Sequence, residues 1–514
     1  MRQTSGSLRG RRSLPFIALA SIALLLAAAC DSDDTPPPYT GATATFSDGI
    51  ASGDVTATTA VVWTRAEGAD LLTVEVATDA SFGAASLSQR AETSADRDFT
   101  VEATVEGLTP DTRYYYRFRA GDTLSPQGAF TTAPADAASR VVRFVFSGDS
   151  DGRRNPDGTP VFNEFEVLDT AAAEQPDFFL YFGDTIYGDR DPEATTLPEY
   201  RAKYRQNRTY RALRDILAAA PIVTVWDDHE VVNDFAGTTV DPARLAAGRR
   251  AFGEYWPIGE GSGNTLYRSF PYGRDLELIV LDERTYRDAS VIGACVIDEA
   301  ADPIPAAGDP AAPENVRGLR QFVGLPPDAP PGCLEALSDP ARTMLGAEQE
   351  QWLKDTLRAS GATWKVVVNA VPVQMLLALP YDRWEGYAAE RRELLEFLRD
   401  EDIRNVLFVT TDFHANIFGP VLVDNFSDPQ QAAYEAVAGP IATTPLQRDI
   451  EDEVGRGAAG ALAALLESVV GVDCAVLDAY AYGLAEIDPA AGTLTLTAKD
   501  QANNELCRTV LTAQ

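Results

Sequence analysis

The chain has only two histidines in 514 residues, and each stands beside carboxylates just after a strand-like apolar run. His229 belongs to the sequence WDDHE, which follows the run at 222–225. His414 belongs to the sequence TDFH, which follows the run at 405–410. Imidazole and carboxylate groups bind divalent metal ions and also transfer protons. Chance is a poor explanation for this placement, so the pattern predicts a metal-dependent hydrolase.

Two further loops carry carboxylates directly after apolar runs. The run at 141–146 leads into GDSDG with Asp149 and Asp151, and the run at 178–182 leads into GDTIYGD with Asp184. Sites in open α/β sheets form beyond the carboxyl ends of the strands, which predicts that all four loops meet at one rim. Bare carboxylates would repel each other there, whereas two ions about 3.5–4 Å apart would remove the repulsion and generate hydroxide for in-line attack on a phosphate ester.

The elements that position these loops read as an α/β domain at 140–514. Apolar runs predict further strands at 276–281 and 364–370. Helical spacing occurs in four segments, namely 161–173, 197–219, 349–360 and 388–399. The segment 298–339 is rich in proline, glycine and aspartate and is predicted to be a long insertion.

Residues 42–135 have a different pattern, with short alternating strands separated by turns. This spacing is typical of a β-sandwich, and the Leu-Thr-Pro turn before a tyrosine-rich strand resembles a fibronectin type III-like all-β domain. The predicted strands are 60–64, 72–76, 100–105 and 113–118. We expect a packed accessory domain; the alternative is a lid or positioning module.

The pattern of residues 1–30 predicts a signal peptide with a lipobox. A basic start with Arg11 and Arg12 precedes the apolar run 14–29, and Ala-Ala-Ala-Cys30 follows, with a polar linker at 31–41. This pattern predicts an exported protein with a lipid anchor at Cys30; an ordinary cleaved signal is the alternative. The arginine pair matches a twin-arginine export signal in part.

Four cysteines remain after Cys30, namely Cys295, Cys333, Cys474 and Cys507. An even number in an exported protein predicts disulfides, and four cysteines allow three pairings. Proximity in sequence favours Cys295–Cys333 and Cys474–Cys507. None of them has metal-ligand spacing.

The formal net charge of −34 argues against a nucleic-acid or anionic-membrane surface as the main partner. It fits either solubility in a salty external medium or an acidic face that gathers divalent cations. We expect a monomer whose partner is a small phosphoester and which meets the membrane only through its anchor.

The order of motifs GDSDG, GDTIYGD, WDDHEVVND and TDFHAN resembles that of the PhoD-like alkaline phosphatases, within the calcineurin-like metallophosphoesterase superfamily. Flanking phrases also match, including ASGD at 51–54 and DRWEGY at 382–387. The likeness runs from about residue 46 to the C-terminus. It implies an αββα two-sheet sandwich preceded by a small β domain, and phosphoester hydrolysis as the activity.

The resemblance also implies a set of site residues. His229 matches the histidine that protonates the leaving group or stabilises the oxyanion of the transition state, and Asp184 matches the carboxylate that bridges two metals. The other implied metal ligands are Asp149, Asp228 or Asn233, Asp412 and His414. Asp151 is a weaker candidate.

Two departures from the family bear on the metals. The first motif lacks the cysteine that PhoD enzymes often have, and the helix before WDDHE offers Tyr204 and Asn207 where they have a tyrosine ligand, with the alignment favouring Asn207. Oxygen ligands with one histidine suit calcium, manganese or magnesium. We therefore expect two or more metal ions, calcium or manganese rather than iron.

Other functions fit parts of the sequence. The ligands do not separate a phosphomonoesterase from a phosphodiesterase or phospholipase D-type enzyme, because the same two-ion chemistry serves both. A non-catalytic calcium-binding surface lipoprotein is the alternative from another class, and an adhesin built on the sandwich rests on analogy alone. Four arginines near the acidic motifs offer either phosphate contacts or structural ion pairs, namely Arg153, Arg154, Arg284 and Arg287.

Overall fold

The computed structural model describes residues 43–83, 87–259, 265–291, 294, 332–376, 382–425, 427–453 and 458–514. The predicted signal peptide, Cys30, the linker and Cys295 lie outside these ranges, as does most of the predicted insertion. No helix within the described ranges combines the length and apolar character needed to span a membrane.

The N-terminal region is all-β, as predicted. Its strands are β1 Ile50–Gly53, β2 Thr59–Arg65, β3 Leu71–Ala77, β4 Leu87–Glu92, β5 Thr100–Glu106, β6 Arg113–Ala120, β7 Thr123–Leu124 and β8 Gly128–Thr131. β3, β4, β6, β7 and β8 form one sheet, and β1, β2 and β5 pack against it through a shared core with Val62, Leu72 and Tyr116. β1, β2 and β5 also form one end of the nine-stranded sheet described below, where Gly53 of β1 pairs with Ile222.

The remaining strands build two large sheets together with β1, β2 and β5. They are β9 Val142–Ser147, β10 Phe178–Tyr181, β11 Ile222–Val223, β12 Arg268–Tyr272, β13 Leu276–Val280, β14 Trp364–Val368, β15 Val406–Thr410, β16 Asn416–Asp424, β17 Asp428–Val437, β18 Cys474–Val476, β19 Ala481–Asp488, β20 Thr493–Asp500 and β21 Glu505–Thr512. The nine-stranded sheet has the order β21-β20-β19-β9-β10-β11-β1-β2-β5. The seven-stranded sheet has the order β12-β13-β14-β15-β17-β16-β18. The sequence patterns had not predicted β16 to β21.

The helices are α1 Val167–Ala173, α2 Leu197–Asn207, α3 Arg211–Ala219, α4 Pro242–Tyr255, α5 Glu283–Tyr286, α6 Cys333–Leu337, α7 Gly346–Ala359, α8 Ala388–Asp400, α9 Leu446–Glu453 and α10 Ala458–Leu465. The single helix predicted at 197–219 is therefore wrong, because the chain breaks between α2 and α3. Tyr210 is extended there (φ −75°, ψ 123°) and stacks on Phe165 at 4.2 Å between ring centroids.

The two large sheets pack face to face and carry helices on their outer faces, which is the αββα sandwich that the family resemblance implied. Side chains of β14 alternate, so that Val366 and Val368 enter the core between the sheets while Val367 enters the core under α7 and α8. The helices α1 and α3 pack against the nine-stranded sheet. Central strands such as β10 and β15 are therefore buried on two faces, which explains their continuous apolar runs.

A disulfide connects the edges of the two large sheets. Cys474 at the start of β18 bonds to Cys507 in β21, with 5.9 Å between their Cα atoms. This pairing confirms the prediction from sequence proximity. Cys333 is also disulfide-bonded, and its predicted partner Cys295 lies outside the described ranges.

Candidate metal centre

The candidate ligands lie in loops that follow parallel strands. β9, β10 and β11 are parallel in the nine-stranded sheet, and β15 is parallel to both of its neighbours in the seven-stranded sheet. Ligand atoms of Asp149, Asp184 and His414 all lie within 4.8 Å of one another, and so do those of Asp184, Asp228 and His229. Residues separated by more than 260 positions in the chain thus form two groups that share Asp184.

Several residues of these loops have a left-handed backbone. The φ angles are 58° at Asp149, 51° at Asp184, 65° at Asp412 and 50° at His414. Such angles cost about 1–3 kcal/mol each for residues other than glycine and occur mainly where a site requires them. Each of these loops therefore turns sharply at the residue whose side chain it presents.

The first two loops touch through Gly148. A Cβ atom at this position would lie 2.2 Å from the carbonyl oxygen of Phe182, so only glycine permits the approach. The backbone N–H of Asp149 donates to Gly183 O at 3.1 Å, and that of Ser150 donates to Asp184 O at 2.8 Å. These bonds hold the carboxylates of Asp149 and Asp184 side by side.

The carboxylates of this centre are suited to cations. Asp149 Oδ2 and Asp228 Oδ1 are buried and accept no hydrogen bond from the described residues. Burial, with the nearby charge of Asp412, raises the pKa of Asp149 to about 7. Burial, with the charges of Asp228 and Asp227, raises the pKa of Asp184 well above its ordinary value. A bound cation would supply the missing partner and remove this repulsion.

His229 is buried and fixed by a second carboxylate. Its Nδ1 atom lies 2.6 Å from Asp189 Oδ1, which leaves Nε2 facing the candidate ligands at 3.8 Å from Asp184 Oδ2. Burial lowers the pKa of His229, but Asp228 and Asp189 outweigh burial and raise it above the ordinary value. Asp189 had no predicted role, although it is the second aspartate of the motif GDTIYGD and so was a visible signal.

Tyr187, from the same motif, connects the two histidines. Its ring lies 4.3 Å from that of His229, and its hydroxyl group lies 3.2 Å from His414 Nε2. The other ring nitrogen of His414, Nδ1, faces Asp449 Oδ2 at 3.8 Å. Tyr187 thus places a phenol group beside the centre. It lies in the loop after β10 and not in α2, where the resemblance implied a tyrosine ligand.

A buried arginine separates the acidic residues beside the centre. Arg284 pairs with Asp227, donates to Asp382 Oδ2 at 2.6 Å, and lies 3.5 Å from Asp228 Oδ2 and 3.6 Å from Asp412 Oδ1. A third acidic group of Asp228, Asp234 and Asp382 adjoins this network. The positive charge of Arg284 therefore balances part of the negative charge of these buried carboxylates.

The four arginines considered for phosphate contact are all in ion pairs. Arg287 pairs with Asp382 at 2.6 Å, Arg153 with Asp151 at 2.7 Å, and Arg154 with Glu164 at 3.1 Å. Arg284 is fully buried in the network described above. Their arrangement favours the structural role over the grip on a phosphate.

The structure places two of the predicted ligands at the edge of the centre. Asp412 receives a hydrogen bond from Arg383 Nε at 3.0 Å, and its own backbone N–H donates to Asp149 Oδ1 at 3.1 Å. Asn233 is exposed, and its backbone N–H donates to Asp189 Oδ2 at 3.0 Å. The metal-ligand roles of both residues, like those of the other predicted ligands, remain predictions.

The weaker candidates are engaged in other contacts. Asp151 accepts from Arg153, as above. Asn207 donates to the carbonyl oxygens of Ser150 and Thr185 at 2.7 and 2.8 Å, so its amide joins the first two loops. Tyr204 is buried in α2 and stacks on Tyr255 at 5.0 Å. These contacts give Asn207 and Tyr204 positions in the scaffold beneath the centre.

Family models match most of the chain. The model described as PhoD-like phosphatase matches residues 157–488, and the model described as the N-terminal domain of PhoD-like phosphatase matches residues 32–134. Alkaline phosphatase D of Bacillus subtilis (strain 168) is 30% identical over 432 residues, which cover 74% of this chain and 66% of that protein. The match therefore spans slightly less than two thirds of that relative's length.

Two solved structures share the fold. The structure of PhoD superposes with a TM-score of 0.72 at 24% identity, covering 93% of this chain and 90% of the other. A purple acid phosphatase, PPD1 from yellow lupin seeds, superposes with a TM-score of 0.54 at 12% identity, covering 90% and 73%. Both likenesses concern the fold.

Proposed function

The chain belongs to the PhoD-like phosphatase family, and we propose that it hydrolyses phosphate esters with water activated by two or more metal ions. The proposal rests on two ligand groups that share Asp184, one formed by Asp149, Asp184 and His414 and the other by Asp184, Asp228 and His229. These groups would offer ligands for two ions.

Metal ions bound in these groups would supply charge stabilisation and a nucleophilic hydroxide. The protein's own groups supply the rest of the chemistry. Asp149, Asp184, Asp228, Asp412 and His414 would hold the ions, with Asn233 as a further ligand candidate. His229 donates a proton from Nε2 to the leaving oxygen, while Asp189 fixes the opposite side of the ring.

Calcium and manganese are the favoured metals, since the ligand groups consist of carboxylates and the imidazole of His414 once His229 is set aside as the proton donor. The hydroxyl group of Tyr187 beside His414 is an argument for iron, because a phenolate is a hard anionic ligand. Elemental analysis of protein purified without added metal decides between them. Stoichiometric iron with a visible charge-transfer band contradicts the favoured assignment.

Export and lipid anchoring complete the proposal. The basic start, the apolar run at 14–29 and Cys30 support an envelope location. The disulfide between Cys474 and Cys507 agrees with an oxidising compartment. We propose a two-domain organisation, with an accessory β domain at 42–135 and a catalytic domain at 140–514, and a monomer acting on small phosphoesters without nucleic acid.

The central experiment compares the parent protein with His229→Ala and His229→Gln variants. We expect hydrolysis of an aryl phosphate to fall by at least about 10²-fold, as removal of a general acid requires, with metal content unchanged. Activity near the parent level contradicts the acid role. Loss of one metal equivalent in both variants shows instead that His229 is a ligand.

The same proteins separate the alternative functions. A higher rate on a bis-aryl phosphate than on an aryl phosphate identifies a diesterase or phospholipase D-type enzyme. Metal binding without turnover of either compound identifies the calcium-binding lipoprotein. The Asp189–His229 contact favours an enzyme, because a site that only binds metal needs no oriented proton donor.

A further inference from the structure

An arginine-rich cavity lies away from the candidate metal centre, between the N-terminal β region and the junction of α2 and α3. Its volume is about 610 Å³, and its lining includes Arg65, Arg205, Arg208 and Arg214. Four guanidinium groups around one opening are unexpected in a chain with a net charge of −34. Their partners decide whether the cavity carries excess positive charge.

Two of the four arginines are in ion pairs, and they share the carboxylate of Asp98. Arg65 pairs with Asp48 and Glu67, both at 3.2 Å, and with Asp98 at 3.3 Å. Arg205 pairs with the other oxygen of Asp98. These three acidic residues are those that line the cavity, and all are engaged.

Arg208 is buried with an incomplete set of acceptors. Its Nη2 atom donates to Tyr255 O at 2.8 Å, while Nε and Nη1 have no hydrogen-bond partner among the described residues. The rings of Trp63 and Trp256 lie 4.1 and 4.8 Å from its central carbon. Aromatic rings stabilise the face of a guanidinium group, but they do not satisfy its in-plane N–H groups.

Arg214 is held at the same cavity without a carboxylate. Its Nη1 atom donates to the carbonyl oxygens of Arg208 and Thr209 at 2.6 and 2.9 Å, after the end of α2. Its aliphatic stem passes over Gly49, where a Cβ atom would lie 3.2 Å from Arg214 Cδ. Among the described residues it forms no ion pair. Its contact with the helix end fixes its position and supplies only the partial negative charge of the carbonyl groups there.

We propose that this cavity binds a small, multiply charged oxyanion, represented by inorganic phosphate, between Arg205, Arg208 and Arg214. Guanidinium groups bind phosphate oxygens through charge-assisted hydrogen bonds, and a buried cation without an anion is costly. The exposed hydroxyl groups of Ser47 and Thr209 line the same opening. The proposal does not depend on the catalytic activity of the metal centre.

Calorimetric titration of the metal-loaded protein with inorganic phosphate at low ionic strength tests the site. Arg205→Gln and Arg214→Gln each remove a partly exposed guanidinium group and should weaken one phosphate site by roughly tenfold or more. Arg211→Gln is the matched control, because Arg211 lies on α3, pairs with Asp169 and Asp215, and does not line the cavity. We expect this control to bind as the parent does.

Repeating the titration with Asp184→Asn distinguishes phosphate binding at the metal centre from phosphate binding in the arginine-lined cavity. The arginine-dependent site should persist in this variant with its affinity within about twofold of the parent value. The proposal is overturned if no phosphate site responds to Arg205→Gln or Arg214→Gln. It is also overturned if Arg211→Gln weakens binding equally, since that result shows a general charge effect.

Discussion

His229 and Asp189 form a directed pair, with His229 Nδ1 at 2.6 Å from Asp189 Oδ1. The backbone N–H of His229 also donates to Asp184 Oδ1 at 3.2 Å. The imidazole is therefore fixed between a carboxylate that orients it and a carboxylate of the metal centre. Its Nε2 atom is the only ring nitrogen left to face a substrate.

Replacement of Asp189 by asparagine should lower kcat by about 10- to 100-fold, in the range found when partners of site residues are changed. The variant should also lose activity at a lower pH than the parent. Asp189 contributes to the raised pKa of His229, so its removal lowers that pKa and the protonated imidazole disappears earlier as pH rises. The pH–rate profile is the measurement. If the alkaline limb of the pH–rate profile is unchanged while the metal content is normal, Asp189 does not position His229.

Replacement of Asp184 by asparagine should raise the melting temperature of the metal-free protein and reduce the further increase that added metal produces. Burial and neighbouring charges raise the folded-state pKa of Asp184, so above its unfolded pKa the carboxylate opposes folding of the metal-free protein. The variant should melt at a higher temperature than the parent in chelator, and should gain less when metal is added. The exposed Asp136→Asn variant is the control. A lower melting temperature in chelator contradicts the prediction.

Replacement of Tyr187 by phenylalanine tests the link between the two histidines. The variant keeps the ring against His229 and loses the hydroxyl group 3.2 Å from His414 Nε2. We expect metal affinity to fall by roughly tenfold, as for other partners of metal ligands. Competition with a calibrated chelator measures the affinity. Parent-like affinity shows that the hydroxyl group does not support the centre.

Replacement of Arg284 by methionine should destabilise the protein by about 3–5 kcal/mol, because it leaves buried carboxylates without their counter-charge. The carboxylates concerned are Asp227 and Asp382. Urea unfolding of the metal-loaded protein measures the change. Arg211→Met removes an exposed arginine, and we expect it to leave the unfolding free energy close to the parent value. Equal effects of the two substitutions contradict the balancing role of Arg284.

The double variant Cys474→Ser with Cys507→Ser should lose about 3–4 kcal/mol of unfolding free energy. The disulfide closes a segment with a sequence separation of 33, and opening it increases the entropy of the unfolded chain. Denaturant unfolding under non-reducing conditions measures the loss. A change below about 1 kcal/mol shows that the contacts between the sheets hold this edge without the bond.

The sequence by itself determined the fold class and the four loops of the centre. Apolar runs at 141–146 and 405–410 are strong signals because strands buried on two faces carry apolar side chains throughout. The rule that sites form beyond the carboxyl ends of parallel strands then predicted that Asp149 and His414 meet. Local sequence patterns are enough to predict a segment where a single local cause, such as burial or a turn, fixes its backbone conformation.

The tertiary structure alone decided which neighbours these residues have. The pairing of Asp189 with His229, and the position of Tyr187 between the two histidines, depend on how two loops from different strands pack together. Arg284 becomes a balancing charge only because the sandwich buries it among aspartates from three other segments. Such contacts are absent from any local pattern, because the distance between two side chains is set by sheet packing and not by their separation along the chain.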